Sequence, residues 1–210
     1  MPAPDAAVLD RRTRVGRIKM LLVLAICASP VVASYFLYYV AQPQGRTNYG
    51  ELILPTRAIP ASLALRTLDA APVDPLALKG QWLLVAVGPS ACVDACDRIL
   101  YLQRQLRTML GRERERLDKV WFVTDDGPVA PPLREALGGL EPVTALRASR
   151  AELTQWLRPA ASQALEDHLY IVDPMGQWMM RVPSSPEPSK VKRDLDKLMR
   201  ASAGWDKAGR

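Results

Sequence analysis

QWLLVAVGPSACVDACDRILYLQRQLRTML, residues 81–110, is the stretch that decides the fold. Residues 81–87 form an almost wholly apolar run, which is typical of a strand buried on both faces. Residues 88–92 break that run, and from residue 97 to 110 the apolar side chains recur at helical spacing. The stretch therefore predicts a buried strand that turns into an amphipathic helix, with Cys92 and Cys96 at the junction.

Further strands and helices are predicted along the rest of the chain. The predicted strands cover residues 63–68, 120–123, 143–146, 169–172 and 177–182, and the predicted helices cover residues 133–137, 150–157 and 189–201. Asp173-Pro174-Met175-Gly176 separates the last two strands and is a strong hairpin signal. Strands that alternate with helices predict an α/β domain built around a buried central sheet.

An uncharged run of 21 residues, 20–40, precedes this domain. About 20 apolar residues span a bilayer core. Five basic side chains stand before the run, and the next basic residue after it is Arg46. This asymmetry predicts a cytoplasmic N-terminus and a soluble domain across the membrane. A cleaved signal peptide is the alternative, but its apolar core of roughly 7–15 residues is shorter. We expect an uncleaved, single-pass anchor in the bacterial cytoplasmic membrane, with the domain in the periplasm.

The predicted organisation has five parts. They are a basic N-terminus (1–19), a transmembrane helix (20–40), a linker (41–60), the α/β domain (61–203) and a tail (204–210). The net charge of +6 divides evenly, because residues 1–40 carry five basic and two acidic side chains and the rest carries 23 and 20. No basic stripe interleaved with aromatic residues is present, so the composition argues against nucleic-acid binding.

The spacing of Cys92 and Cys96 allows three kinds of chemistry. One helical turn separates their Cα atoms by about 6 Å, within the range of roughly 4.4–6.8 Å that a disulfide bridges. A helix N-terminus stabilises a thiolate, which favours Cys92 as a nucleophile. Two sulfurs at this spacing also suit Cu(I). A structural disulfide, a redox-active dithiol and a copper site therefore all remain open. Cys27, inside the apolar run, is given no role.

Two stretches resemble one known family. LALKGQWLLVAVGPSACVDACDRILYLQRQL and the later HLYIVDPMGQWMMRVP are similar to the Sco/SenC proteins, and the resemblance extends from about residue 50 to residue 201. It implies a thioredoxin-like fold with a central mixed sheet behind one transmembrane helix. It also implies a role in assembling the copper centre of cytochrome c oxidase. The family uses a Cys-x-x-x-Cys pair and one distal histidine as copper ligands, and the pair also exchanges thiols and disulfides.

The resemblance carries over unevenly to the site residues. Cys92 and Cys96 match the family's pair, although Val93 and Asp97 stand where prolines are usual. His168 is the only histidine in the chain and is the candidate third ligand. The family's histidine precedes the strand tyrosine by about five positions, whereas His168 precedes Tyr170 by two. A shift of three residues on an extended segment moves the side chain by several ångströms and turns it to the other face.

The remaining candidate groups are interpreted as core and turn residues. Met175, Met179 and Met180 offer soft thioethers near the hairpin, but methionines on an apolar strand usually fill the core. Asp125 and Asp126 follow a core strand and are interpreted as turn residues. A single histidine and the lack of a nucleophile elbow argue against a hydrolase.

Together these observations predict a Sco-like assembly factor that acts by thiol–disulfide exchange, by Cu(I) delivery, or by both. Its expected partner is a cytochrome c oxidase subunit or another assembly factor. The alternative is a membrane-tethered, thioredoxin-like interaction scaffold with an inert disulfide.

Overall fold

The structure is a computed structural model that describes the backbone of residues 6–41 and 48–204 and the side chains of residues 14–39 and 48–204. The chain divides into two compact units, Met1–Thr47 and Asn48–Arg210. The first contains helix α1 (Ala6–Phe36), which continues as a π-helical turn over Leu37–Ala41. Within the described residues, Arg14–Tyr39 is the one helical segment long and apolar enough to cross a membrane, with a mean hydropathy of 2.2.

The second unit is an eight-stranded sheet with four helices. Its strands are β1 (Glu51–Ala58), β2 (Leu65–Thr67), β3 (Pro72–Val73), β4 (Trp82–Gly88), β5 (Leu117–Val123), β6 (Thr144–Arg147), β7 (Tyr170–Val172) and β8 (Gln177–Arg181). Its helices are α2 (Ala95–Met109), α3 (Pro131–Leu137), α4 (Arg150–Trp156) and α5 (Pro188–Ala201). Short 3-10 segments lie at Pro75–Leu78, Gly111–Arg116 and Leu165–Asp167.

The strands lie in the order β1-β8-β7-β4-β5-β6-β2-β3. β4, β5 and β6 are parallel, and every other pairing is antiparallel. This confirms the predicted mixed sheet. The parallel register places Gly88 opposite Val123, so β4 and β5 end at the same level. The loops that follow these two strands are therefore neighbours.

Alternating side chains of the sheet build two cores, one on each face. Leu83, Val85 and Val87 of β4 point to the face covered by α4, which we call the α4 core. Trp82, Leu84 and Ala86 point to the face covered by α2 and α5, which we call the α2 core. Every residue of β4 is buried, as expected for a continuous apolar strand covered on both faces.

The predicted hairpin joins β7 to β8. Gly176 has φ of +83°, a conformation that glycine adopts without steric cost. The backbone N–H of Gln177 donates to the Asp173 carboxylate at 2.8 Å, and the Gly176 N–H donates to the Asp173 carbonyl at 2.8 Å. These bonds close the turn that the Asp-Pro-Met-Gly sequence predicts.

One predicted boundary is wrong. Residues 51–58, which the sequence analysis placed in a linker, form the edge strand β1, which pairs with β8. Pro55 and the weak alternation of buried and exposed side chains hid this strand, since proline is tolerated in sheets mainly at an edge. The rest of the predicted linker includes residues 42–47, which lie outside the described residues, as do residues 1–5 of the predicted N-terminus and residues 205–210 of the predicted tail.

Candidate functional site

Cys92 and Cys96 form a disulfide at the junction of β4 and α2, with their Cα atoms 5.2 Å apart. β4 ends at Gly88, and α2 begins at Ala95. Both cysteines are partly exposed. They pack against the α2 core, while Val93 between them is 69% exposed. The disulfide is therefore supported on one side by the core and open to an approaching molecule on the other.

Two backbone hydrogen bonds close the first turn of α2 next to this pair. Asp94, which precedes the helix, has φ of +39° and makes no side-chain cap. The Cys96 N–H donates to the Val93 carbonyl at 3.0 Å, and the Arg98 N–H donates to the Asp94 carbonyl at 3.0 Å. Cys92 precedes Ala95, the first residue of α2, by three residues. The dipole at a helix N-terminus favours negative charge, so this position favours the thiolate of a reduced Cys92.

Asp125 holds the cysteine-bearing loop in place. Its carboxylate accepts the backbone N–H of Ser90 at 3.0 Å and that of Gly127 at 2.9 Å. A hydrogen bond from the Ser90 side chain, together with these backbone bonds, lowers the pKa of Asp125 below its ordinary value. The turn role predicted for this residue is present, but Asp125 also reaches the loop of Cys92. Asp126 instead lies on the surface and pairs with Arg66 at 3.5 Å.

His168 lies at the end of the sheet where β4 finishes, because Tyr170 pairs with Val85. Its backbone is extended, so its side chain shares a face with Tyr170, whose ring centroid is 6.0 Å away. Tyr170 belongs to the α4 core, whereas Cys92 and Cys96 pack against the α2 core. The structure therefore places His168 and the cysteine pair on opposite faces of the sheet.

Both ring nitrogens of His168 are used by the backbone. Nδ1 lies 2.8 Å from the Val182 carbonyl, and Nε2 accepts the Ala160 N–H at 3.3 Å. The side chain is 2% exposed, and this burial lowers its pKa below the ordinary value. A neutral imidazole that donates from Nδ1 satisfies both contacts. The arrangement is that of a structural histidine, with no ring nitrogen left for a metal.

The methionines do not add a ligand set at the pair. Met180 is buried and Met179 is partly buried in the α2 core, which confirms core filling for these two, while Met175 is 54% exposed on the hairpin. Among the described residues, no group of three or more His, Cys, Asp and Glu side chains is placed to hold a metal ion.

Trp121 is a site residue that the sequence analysis did not identify. It lies in β5 opposite Ala86 and is fully buried in the α2 core. Its indole N–H has no hydrogen-bond partner among the described residues. A β-carbon built on Gly88 would lie 3.3 Å from Trp121 Nε1 and 3.1 Å from Cys96 Sγ. The indole nitrogen and the Cys96 sulfur therefore flank the same small space above Gly88.

A groove of about 610 Å³ opens beside Cys96. One wall is α2, through Ala95, Arg98 and Ile99, and the other is formed by the acidic pair Glu166 and Asp167 together with residues 184–186.

Comparison with known proteins identifies the fold. A family described as "Transmembrane-like, thioredoxin-like, C-terminal domain" matches residues 82–202. None of the curated proteins matches the chain.

Three solved structures are similar to it. Apo Sco1 from Thermus thermophilus is 18% identical, with a TM-score of 0.54, over 74% of this chain and 99% of that one. Yeast Sco1 with copper bound is 16% identical, with a TM-score of 0.51, over 77% of this chain and 99% of that one. BsSco, a member of the Sco family of cytochrome c oxidase assembly proteins in which a disulfide switch was identified, is 13% identical, with a TM-score of 0.50, over 70% and 95%. At these identities the likeness shows a shared fold, which confirms the predicted resemblance and the thioredoxin-like fold.

Proposed function

The chain belongs to the family of transmembrane-like, thioredoxin-like C-terminal domains. We propose that it is a membrane-anchored factor for assembly of the cytochrome c oxidase copper centre, acting by thiol–disulfide exchange. The observation that carries this proposal is the partly exposed Cys92–Cys96 disulfide at the junction of β4 and α2. Its fold is that of Sco structures, one of which has a disulfide switch. The partner would be an oxidase subunit or another assembly factor.

The exchange needs only the two cysteines of the reduced chain. The Cys92 thiolate attacks one sulfur of a partner disulfide, so that a Cys92–partner bond forms and the partner's bond breaks. The departing partner sulfur takes up a proton. Cys96 then loses its proton and attacks Cys92, which restores the Cys92–Cys96 disulfide and releases the second partner sulfur as a thiol. The partner gains two electrons and the pair loses two, so a dithiol donor outside the cytoplasm must reduce the pair again.

Copper does not fit the three-ligand site that the resemblance implies. His168 lies on the opposite face of the sheet from the pair, and its two nitrogens contact Val182 and Ala160. The proposed exchange therefore uses no bound copper. Binding of Cu(I) by Cys92 and Cys96 alone stays a prediction, since two thiolates are soft ligands.

The proposed location is the outer side of the bacterial cytoplasmic membrane. Arg14, Arg17 and Lys19 lie at the N-terminal end of the candidate span Arg14–Tyr39, and basic residues are retained on the cytoplasmic side. This orientation would place Cys92 and Cys96 in the periplasm, where disulfides form and persist.

The test is complementation in the native host deleted for this chain, with Cys92→Ala and Cys96→Ala variants of the full chain. We expect both variants to lose oxidase activity and the absorbance of the copper centre. Cys27→Ala is the matched control, because this cysteine is unpaired and lies in α1. Normal oxidase in cells carrying either site variant would refute the proposal. A reduction potential below about −300 mV would instead favour the scaffold with an inert disulfide.

A further inference from the structure

We propose that Trp121 is a positioning residue for the cysteine pair: its indole N–H donates a hydrogen bond to the Cys96 sulfur when the disulfide is reduced. The inference rests on the proposed function, since it concerns the reduced state that thiol–disulfide exchange requires.

A buried indole N–H without a partner requires an explanation. Trp121 is 0% exposed, and its Nε1 has no acceptor among the described residues. The indole nitrogens of three other buried tryptophans do have acceptors. Trp82 donates to Ser202 Oγ at 3.1 Å, Trp156 to the Arg57 carbonyl at 3.1 Å and Trp178 to the Met180 carbonyl at 3.0 Å. Because buried polar groups are normally paired, the exception at Trp121 points to a partner that another state of the protein supplies.

The Cys96 sulfur is the acceptor that the geometry offers. A β-carbon on Gly88 would be 3.3 Å from Trp121 Nε1 and 3.1 Å from Cys96 Sγ, so these two atoms face the same space. Glycine leaves that space free of side-chain atoms. In the disulfide the Cys96 sulfur is tied to Cys92 and is a weak acceptor. After reduction it can rotate about the Cα–Cβ bond and accept the indole N–H, more strongly as the thiolate.

This hydrogen bond forms only in the reduced state and so favours the dithiol. It also holds the Cys96 sulfur in the space beside Gly88 while Cys92 is bonded to a partner. Cys96 is then placed to attack Cys92 and release the reduced partner. Trp121 itself gains and loses no atoms or electrons in this step.

The test is the redox equilibrium of the purified full chain in detergent micelles, measured in glutathione or dithiothreitol buffers. We expect Trp121→Phe to shift the equilibrium about tenfold toward the disulfide, which is about 30 mV for a two-electron couple. β-(3-Benzothienyl)alanine has nearly the same shape as tryptophan, with a sulfur in place of the N–H. At position 121 it should give the same shift, and it replaces Trp121→Phe as the test variant if that protein does not fold. Trp82→Phe is the matched control, because it removes a buried indole at the other end of β4.

A second readout follows the hydrogen bond itself. In ¹⁵N-labelled full chain, the indole N–H proton of Trp121 should move downfield on reduction, while that of Trp82 should not. The inference would be overturned if the redox equilibrium constants of both Trp121 variants were within twofold of that of the unsubstituted chain. It would also be overturned if the chemical shift of the Trp121 indole N–H did not change on reduction. A shift in Trp121→Phe without one in the benzothienyl variant would also overturn it, because ring volume would then be the cause. None of these measurements involves the oxidase. The role in oxidase assembly can therefore be refuted in cells while the Trp121 hydrogen bond is confirmed, and the hydrogen bond can be refuted while the role in assembly is confirmed.

Discussion

Replacing His168 by alanine tests whether this side chain is a structural group or a metal ligand. The imidazole is 2% exposed and contacts the Val182 carbonyl at 2.8 Å and the Ala160 N–H at 3.3 Å. Alanine removes the partner of the buried Val182 carbonyl, which costs about 1–3 kcal/mol, and the partner of the partly buried Ala160 N–H. The contact to Ala160 is the longer of the two and contributes less. Together with the cavity left by the ring, we expect the free energy of unfolding to fall by about 3 kcal/mol.

Urea denaturation followed by tryptophan fluorescence measures this change, because all five tryptophans lie after residue 81. His168→Asn is the conservative control. Its side-chain amide can still donate to the Val182 carbonyl, so about half of the lost stability should return. An anaerobic Cu(I) titration of the reduced chain should give the same affinity for His168→Ala as for the unsubstituted chain. A stability loss below about 0.5 kcal/mol, combined with a tenfold weaker affinity for Cu(I), would refute the structural role.

The same side chain predicts a pH dependence. Burial lowers the pKa of His168 in the folded state, whereas the unfolded chain has the ordinary value of about 6.5. The unfolded state therefore binds a proton first as the pH falls. The stabilising contribution is fully present above about pH 6.5 and is lost as the pH falls toward the folded-state pKa. His168→Asn should remove this dependence between pH 7 and 5, and an equally steep dependence in that variant would assign it to other groups.

Three further substitutions and one control test the packing of the second unit by urea denaturation. Asp194→Ala removes the buried carboxylate that accepts the N–H groups of Tyr49 and Gly50 at 2.7 and 2.8 Å, and should cost about 3 kcal/mol. The control Asp196→Ala, at a partly exposed carboxylate, should cost less than about 1 kcal/mol, and equal losses would contradict this assignment. Gly176→Ala should cost about 1–2 kcal/mol, because φ is +83°, and no loss would show that the turn relaxes. Tyr170→Phe removes a buried hydroxyl that donates at 3.0 Å to the backbone and should cost about 1–2 kcal/mol; an unchanged midpoint would show that this bond adds nothing.

The central elements were predictable because each has a strong local signal. The apolar run before Gly88 forms β4, and the helical spacing after Asp97 belongs to α2. Asp173 and Gly176 form the predicted turn. β1 was missed because its side chains are mostly exposed and it contains Pro55, so its strand structure comes from pairing with β8 and not from its own sequence pattern.

The site was predictable only where the signal is local. The spacing of Cys92 and Cys96 permits the disulfide that the structure contains. The contact between Asp125 and Ser90 depends on which strand neighbours β4. The sequence does contain one indication of this contact. Ser90 lies two residues after the end of β4 and Asp125 two residues after the end of β5, and the ends of these parallel strands lie side by side. Trp121 gave no such signal, since a tryptophan in an apolar strand predicts core packing alone.

Two sulfurs suffice for a two-electron exchange, whereas the three-ligand copper site of the resemblance also needs a histidine on the cysteine face. The position where that histidine is expected holds Leu165, which is 1% exposed in the α4 core and whose carbonyl accepts the Tyr170 hydroxyl. A histidine placed at residue 165 would therefore face away from Cys92 and Cys96, as His168 does. The change of face expected for a shift of three residues is wrong, because Leu165–Asp167 is a 3-10 turn and not an extended segment. A third ligand from this segment would have to come from its groove side, where Glu166 and Asp167 form the wall opposite α2. Exchange of thiols needs no histidine, and the Trp121 N–H, which has no acceptor among the described residues and borders the same space above Gly88 as Cys96 Sγ, suits a reduced sulfur.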